Sequence, residues 1–551
     1  MALSVYDQFG TNLFLRADFR IIMEQIKNSE NSKVAKAAGV VGIATMISRI
    51  FGFIRDMVVA ALFGAGWIYD AFLIAFRIPN LLRRLIGEGS LTVSFVPVFT
   101  EYLRNKSKEE ALELANVAFS LLSIILVVIS ILGVLLAPLI VALQAPGFIQ
   151  TPDQFALAVF LTRLMFPYIF FMSLVALCMG ILNSFRHFAA PALSPVILNI
   201  SMIAAALLLR DYFAQPIIAL AIGVMIGGVL QLAMQWPFLS KFKVKFKFNF
   251  NWQHPGIKQI TVLLFPAILG AAVGTINVFV GNVLASFLPK GSVSYLYYAD
   301  RIMELPLGVF AIAIGTASLP SLSEHALQGN REALKSTLSF SMRLMLFVTI
   351  PAMVALMALN LPIISVLFQR GAFDAQATVL TAQALFCYAL GLWAFSLLRV
   401  IVAVFYSLQD AKWPMKAAVI TLIINLVASI ILMFPLKHLG LALANSLAAA
   451  VNVIILGIVL RKKIGSFLDR DFYFSALKIT TSSLVMWGAI MLISVFLPWD
   501  SGSSFRSRLI YLLTTITAGA ATFFICSYFL KSPEMQSIIR LLKKRFIPSR
   551  R

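Results

Sequence analysis

Residues 117–143 read VAFSLLSIILVVISILGVLLAPLIVAL, a stretch without a single charge. About 20 apolar residues in a helix cross the hydrocarbon core of a bilayer. The stretch lacks the alternation of a barrel strand, and lipid cannot satisfy the edges of an open sheet. It therefore reads as a membrane-spanning helix. Similar runs recur along the 551 residues, of which 60% are hydrophobic and 12% charged. Mean hydropathy is +0.92, too apolar for a soluble globular chain. The expected fold is an all-α polytopic membrane protein with about 14 transmembrane helices. Approximate spans are 38–63, 68–99, 113–145, 155–184, 191–209, 216–239, 258–288, 293–322, 336–360, 376–408, 414–434, 438–460, 474–497 and 508–530.

The net charge of +22 invites a nucleic-acid reading, but the placement of the cations argues against it. With a cytoplasmic N-terminus, 30 Lys and Arg fall in the two tails and the even-numbered loops. Six fall on the opposite side: Arg210, Lys290, Arg370, Lys437, Arg506 and Arg508. This bias puts both termini in the cytoplasm. Anionic membrane lipid, not nucleic acid, is the partner of the basic surface. The first 37 residues lack a basic region followed by an apolar one, so no cleavable signal is expected, and Met23 is an alternative start.

Enzyme signatures are missing. Cys178, Cys387 and Cys526 sit in apolar runs with no CxxC, the four histidines form no HExxH, and there is no P-loop. No catalytic residue, metal or cofactor is expected.

Nine arginines and no lysine remain inside the spans: Arg49, Arg55, Arg77, Arg83, Arg84, Arg163, Arg301, Arg343 and Arg399. A charge at membrane depth costs about 3 kcal/mol or more, so several require a wet cavity, partners or both. Guanidinium stays charged and binds phosphate bidentately, whereas a buried lysine tends to lose its proton. Arg49 and Asp56 lie two turns apart on one face, with Arg55 beside Asp56. The second span carries Asp70, Arg77, Asn80, Arg83, Arg84 and Glu88, with Pro79 as a bend. The eighth carries Ser294, Asp300, Arg301 and Glu304. Plainer roles stand beside this reading: Arg83 and Arg84 snorkelling, Asp70 at the outer interface, Arg55 with Asp56 as a structural pair. Taken together, the set describes a cationic cavity for a phosphate or diphosphate, with carboxylates that exchange ion pairs as access alternates.

The chain also matches itself at an offset of 223. SFVPVFTEY (94–102) aligns with ASLPSLSEH (317–325), and NSFRHFAAP (183–191) with YSLQDAKWP (406–414). Six spans separate the copies, an even number, so the halves share orientation, a transporter plan. Asn199, Asn277, Asn282 and Asn425 read first as interhelical hydrogen bonds. KFKVKFKFNFNW (241–252) alternates Lys and Phe as a short amphipathic strand would, and MQSIIRLLKKRFIPSRR (535–551) resembles a basic interfacial helix.

The segments SRIFGFIRD (48–56), FGAGWIYDAFLIAFRIPNLLRRLIGEGSLTVSFVPVF (63–99) and GSVSYLYYADRIMELPLGVFAIAIGTASLPSLS (291–323) closely resemble the MurJ (MviN) lipid II flippases. These belong to the multidrug/oligosaccharidyl-lipid/polysaccharide exporter superfamily. The likeness runs from about Ala38 to the last span. It implies two parallel six-helix lobes plus two C-terminal helices in the bacterial inner membrane. The implied division is an extension (1–37), an N-lobe (38–240), a basic inter-lobe loop (241–257), a C-lobe (258–463), a helix pair whose groove leads the lipid tail (464–530), and a basic tail (531–551). The implied activity moves lipid II, an undecaprenyl-diphosphate-linked peptidoglycan precursor, from the cytoplasmic to the outer leaflet. The alternative cargo is another polyprenyl-diphosphate-linked glycan, and cell-wall synthesis machinery is a further candidate partner. By the resemblance, Arg49, Arg55, Asn80, Arg83, Ser294 and Arg301 contact substrate, while Asp70 and Glu88 are gating or ion-pair residues. Asp56, Asp300 and Glu304 join that second group from the residue reading. The seventh, eleventh and twelfth spans hold no Asp or Glu, which argues against a carboxylate cation site there.

Overall fold

The computed structural model describes residues 39–82, 90–500 and 502–546. The helices are α1 (39–63), α2 (Trp67–Leu82), α3 (Leu91–Asn105), α4 (Lys108–Leu135), α5 (Ala137–Gln144), α6 (Pro152–Met165) and α7 (Tyr168–Ser184). Then come α8 (Ala189–Leu208), α9 (Ile217–Lys241), α10 (Pro255–Ser286), α11 (Ser292–Pro306), α12 (Ile312–Leu327), α13 (Arg331–Ala358) and α14 (Asn360–Phe368). The chain continues with α15 (Ala375–Ala389), α16 (Leu392–Ser407), α17 (Lys412–Leu436), α18 (His438–Ile464), α19 (Arg470–Phe496), α20 (Phe505–Phe529) and α21 (Pro533–Phe546). Among the described residues nine helical segments are individually long and apolar enough to cross a membrane, and α15 with α16, bent by 40°, makes a tenth. The remaining rods are α1, α2 with α3, α10, and α11 with α12. Of these, α1, α2 with α3, and α11 with α12 are the charged or broken ones, which is why length and hydropathy alone pass over them, whereas α10 is one continuous apolar helix of 32 residues.

Helix starts follow local chemistry. Ser107 accepts from the Glu110 N–H at 3.1 Å, the front of a capping box that opens α4. Asn330 does the same for α13 through Ala333, and Asp374 for α15 through Ala377.

The internal repeat is written into the helix ends. Shifted back by 223, α13 to α16 become 108–135, 137–145, 152–166 and 169–184. The first-half helices α4 to α7 occupy 108–135, 137–144, 152–165 and 168–184. Arg186 and Gln409, also 223 apart, are both left-handed non-glycine residues, with φ of 59° and 56°. Such a conformation costs a side-chain-bearing residue energy, so its recurrence marks the same turn built twice.

With lipid outside, apolar burial does not drive helix association, and close packing of small residues takes its place. A Cβ built on Gly223 of α9 would lie 2.8 Å from Ala205 Cβ and 3.0 Å from Met202 Cα of α8. The last two spans pair with each other and lean on the second half, α19 on α13 and α20 on α14.

Two sequence expectations resolve differently in detail. Residues 244–251 form no strand and carry no regular secondary structure. Two of their N–H groups go to helix side chains, Lys247 to Asn116 Oδ1 at 3.0 Å and Asn249 to Ser120 Oγ at 2.9 Å, while Phe246 stacks on Phe119 at 4.2 Å. Beside a lipid-facing helix, every backbone donor needs such a partner, and Asn116 and Ser120 are one turn apart on α4 to supply two. The basic C-terminal segment is helical to Phe546, as α21, with 547–551 outside the described residues, and the helix is fixed through buried Glu534, which faces Arg343 of α13 at 3.6 Å. That ion pair removes Arg343 from the set of arginines needing a ligand.

Candidate functional site

Helices α1 and α11 bring the charged residues together. Asp56 is buried and lies between two arginines, Arg55 at 2.7 Å and Arg301 at 3.5 Å. The Tyr297 hydroxyl donates to Asp56 Oδ1 at 3.0 Å and accepts from Arg55 Nη2 and Arg301 Nη2, both at 3.3 Å. Arg301 also lies 5.1 Å from the Tyr297 ring centroid, a cation–π contact one helical turn apart. Arg55 Nη1 donates to Asn199 Oδ1 of α8 at 2.9 Å, and Asn199 in turn holds the Ser48 carbonyl at 3.3 Å. Glu304 pairs with Arg301 at 3.3 Å and is exposed. One carboxylate thus serves two guanidinium groups from opposite halves of the repeat.

Arg49 does not share Asp56 despite the two-turn spacing. Its side chain is exposed and meets no carboxylate among the described residues. It rests on Gly308, in a π-helical turn (Leu307–Ala311) between α11 and α12. A Cβ built there would stand 1.9 Å from Arg49 Nη1. Only glycine admits this approach, and π-turns of this kind concentrate at functional sites.

Arg77 and Asp300 both have partners in the structure, and both act electrostatically on the hydroxyl of Tyr388 on α15. Asn80 is half-buried and also engaged. Arg83 and Glu88 lie outside the described residues.

Asp70 and Ser294 meet directly. Asp70 accepts from the Gly291 N–H at 2.6 Å, the Ser294 N–H at 2.8 Å and the Ser294 hydroxyl at 2.5 Å. It caps the start of α11 from α2, where the N-cap residue itself, Gly291, has no side chain to do so. The carboxylate answers the positive end of a helix, with no cation on it among the described residues, so the ion-pair half of its expected role gives way to capping. Two other contacts lie at the same end of the rods. Ala372 N–H donates to the Ala61 carbonyl at 2.8 Å, and Gly64 and Gly371, both left-handed, let the backbones touch. Gly147 N–H donates to Ser286 Oγ at 3.0 Å. These contacts seal the halves at the end opposite α21.

A groove of about 710 Å³ runs between the second half and α19. Met342, Leu346, Trp393, Ile401, Ile458 and Tyr473 line it, together with Arg461. It is apolar along most of its length and suits an acyl or prenyl chain.

Tyr297, Asn199 and Gly308 complete the site, and the sequence flagged only Asn199, for a different reason. Tyr297 lies four residues before Arg301, the one signal that could have found it. The interhelical bond expected of Asn425 and Asn277 is present at 2.7 Å.

A family model described as lipid II flippase MurJ matches residues 59–510. A probable lipid II flippase MurJ of Buchnera aphidicola subsp. Acyrthosiphon pisum is 36% identical over 464 residues, covering 84% of this chain and 91% of the relative. The lipid II flippase MurJ of Burkholderia cenocepacia is 36% identical over 423 residues, covering 76% and 82%. A solved lipid II flippase MurJ in an inward closed conformation superposes with a TM-score of 0.74 at 31% identity, over 89% of this chain and 98% of that one.

Proposed function

The chain belongs to the lipid II flippase MurJ family, and we propose that the Asp56-bridged arginine pair is where it takes hold of the diphosphate of its cargo. It translocates lipid II across the bacterial inner membrane as a multi-pass transporter, and the likeness to lipid II flippases over 59–510 carries that conclusion. Another polyprenyl-diphosphate glycan is not favoured, since the relatives above are all named for lipid II.

In the sealed state Asp56 occupies the inner faces of Arg55 and Arg301 and stands in for phosphate oxygens. An entering diphosphate offers two anionic groups to the same guanidinium forks, and Arg49, which meets no carboxylate among the described residues, offers a third. Charge-assisted bonds to substrate replace those to Asp56, so Arg55 and Arg301 exchange partners and are never left as bare charges. Half-exposed Arg301 and exposed Arg49 support this placement. The groove beside α19 takes the lipid tail. The repeat halves, 38–240 and 258–463, rock about the site, and the closure at Asp70–Ser294, Gly64–Gly371 and Gly147–Ser286 is the outward-side gate. Both termini face the cytoplasm, a reading supported by the 30-to-6 split of cations across the loops.

The test is leaflet-specific labelling of lipid II in cells depleted of the protein. Externally accessible lipid II should fall and return on re-expression. Unchanged labelling, together with failure to rescue a flippase-deficient strain, overturns the reading.

Gly308→Ala probes Arg49 without touching it. The clash is with the far end of a flexible side chain, so the guanidinium shifts and the fold survives. Transport should drop about tenfold, on the order of 1.4 kcal/mol in effective barrier, with the melting temperature unchanged. Wild-type transport would remove Arg49 from the site.

A further inference from the structure

At the sealed end, away from the α1–α11 network, a second cationic cluster lies in the seam between α14 and α20. Arg508, in the first turn of α20, donates through Nη1 to Ser365 Oγ at 2.9 Å and Gln369 Oε1 at 3.1 Å. Arg370, just past α14, donates through Nη2 to the carbonyls of Val366 and Leu367 at 2.8 and 2.7 Å, and lies 5.5 Å from the Phe505 ring centroid. Partial burial, and next to it the charge of Arg508, lowers the Arg370 pKa. Neither meets a carboxylate among the described residues. Arg508 Nε is buried without a partner, as is the Trp499 Nε1, on an indole packed 5.1 Å from Tyr511, one turn beyond Arg508.

Two like charges held together by neutral acceptors, with donors left over, form half of an anion site. Each guanidinium spends one nitrogen on the protein and keeps the rest of its fork. The surroundings say where the anion comes from. Phe505, Ile510 and Leu513 of α20 are 47%, 62% and 56% exposed, an apolar surface that faces lipid, with Trp499 as the aromatic expected at the headgroup level. We propose that Arg370 and Arg508 form a phosphate site at the α14–α20 seam, filled by the headgroup phosphate of a membrane lipid at the sealed end. The anion bridges the pair, offsets half of its charge and pins the last two spans to the second half. This rests on the chain spanning a membrane, not on which lipid it translocates.

The full chain in neutral detergent tests it by native mass spectrometry, with phosphatidylglycerol, diacylglycerol and inorganic phosphate as probes. Phosphatidylglycerol should bind, and Arg370→Gln/Arg508→Gln should weaken its tightest site at least tenfold. Diacylglycerol should not bind, and millimolar inorganic phosphate should not displace the lipid. Lys245→Gln/Lys247→Gln, at the opposite end, should leave that site unchanged. Ser365→Ala/Gln369→Ala cuts the neutral tie but keeps both cations, and should retain binding. If the double arginine variant does not fold, Arg370→Gln alone should still weaken binding at least threefold. Equal binding by wild type and the arginine variants overturns the site, and displacement by inorganic phosphate overturns the lipid as its occupant.

Discussion

Asp56→Ala should abolish transport while leaving a folded protein that still binds a lipid diphosphate. Arg55 and Arg301 each lie 3.3 Å from the same Tyr297 oxygen, so their nearest nitrogens are at most about 6.6 Å apart. At an effective dielectric near 20, that repulsion is about 2.5 kcal/mol, and Asp56 now offsets it. Removing one partner of a buried ion pair costs about 3–5 kcal/mol, because the charge left behind is uncompensated. A diphosphate restores the missing negative charge, so the bound state loses less than the empty one. The variant should hold cargo at least as tightly as wild type and fail to release it, because nothing takes back the arginines. Complementation of a depleted strain measures the first effect, and retention of undecaprenyl diphosphate by the purified variant measures the second. Full rescue, or a folded variant that no longer retains the diphosphate, would remove Asp56 from the exchange.

The fold was largely legible because membrane helices announce themselves. Segments such as 117–143 have no alternative in lipid, and the 223-residue offset read from SFVPVFTEY and NSFRHFAAP recurs in helix bounds and in the paired left-handed Arg186 and Gln409. The arginines of the site were legible for the same reason, since an unexplained charge at membrane depth is conspicuous. Their partners were not. Tyr297 sits among other aromatics in SYLYYADR, and only its four-residue spacing to Arg301 separates it from Tyr295 and Tyr298, which pack into the core. Its hydroxyl acquires meaning only because α11 carries it to Asp56 of α1. Gly308 is one of several glycines in an apolar run, and the guanidinium that requires it comes from a helix more than 250 residues away. Asp70 was legible as important and misleading in kind. A carboxylate in a chain rich in arginine suggests an ion pair, whereas its partners are two backbone N–H groups and the Ser294 hydroxyl at the start of another helix, a pairing no spacing rule reveals.

Asp70→Ala should open the sealed end. The carboxylate accepts three hydrogen bonds from the start of α11, two from backbone N–H groups that have no intrahelical acceptor. Bonds to a charged acceptor contribute about 1.5–3 kcal/mol each, and loss of an N-cap alone about 0.5–2 kcal/mol. Even a net loss of about 3 kcal/mol moves a two-state equilibrium more than a hundredfold, since each 1.4 kcal/mol is a factor of ten. The Gly64–Gly371 and Gly147–Ser286 contacts remain and resist the change, but each holds one neutral hydrogen bond, from Ala372 N–H to the Ala61 carbonyl and from Gly147 N–H to Ser286 Oγ. They cannot replace a charged cap. Spin labels on Gln150→Cys and Gln376→Cys, exposed residues in opposite halves near the seal, report the separation in a background with Cys178, Cys387 and Cys526 replaced by Ala. Wild type should give a single short distance, and Asp70→Ala a second, longer population that dominates. Asp70→Asn keeps one acceptor oxygen and the shape of the side chain, so it should fall between the two. Superimposable distance distributions for all three proteins would show that the seal is held elsewhere and that the Asp70–Ser294 contact caps a helix without gating the transporter.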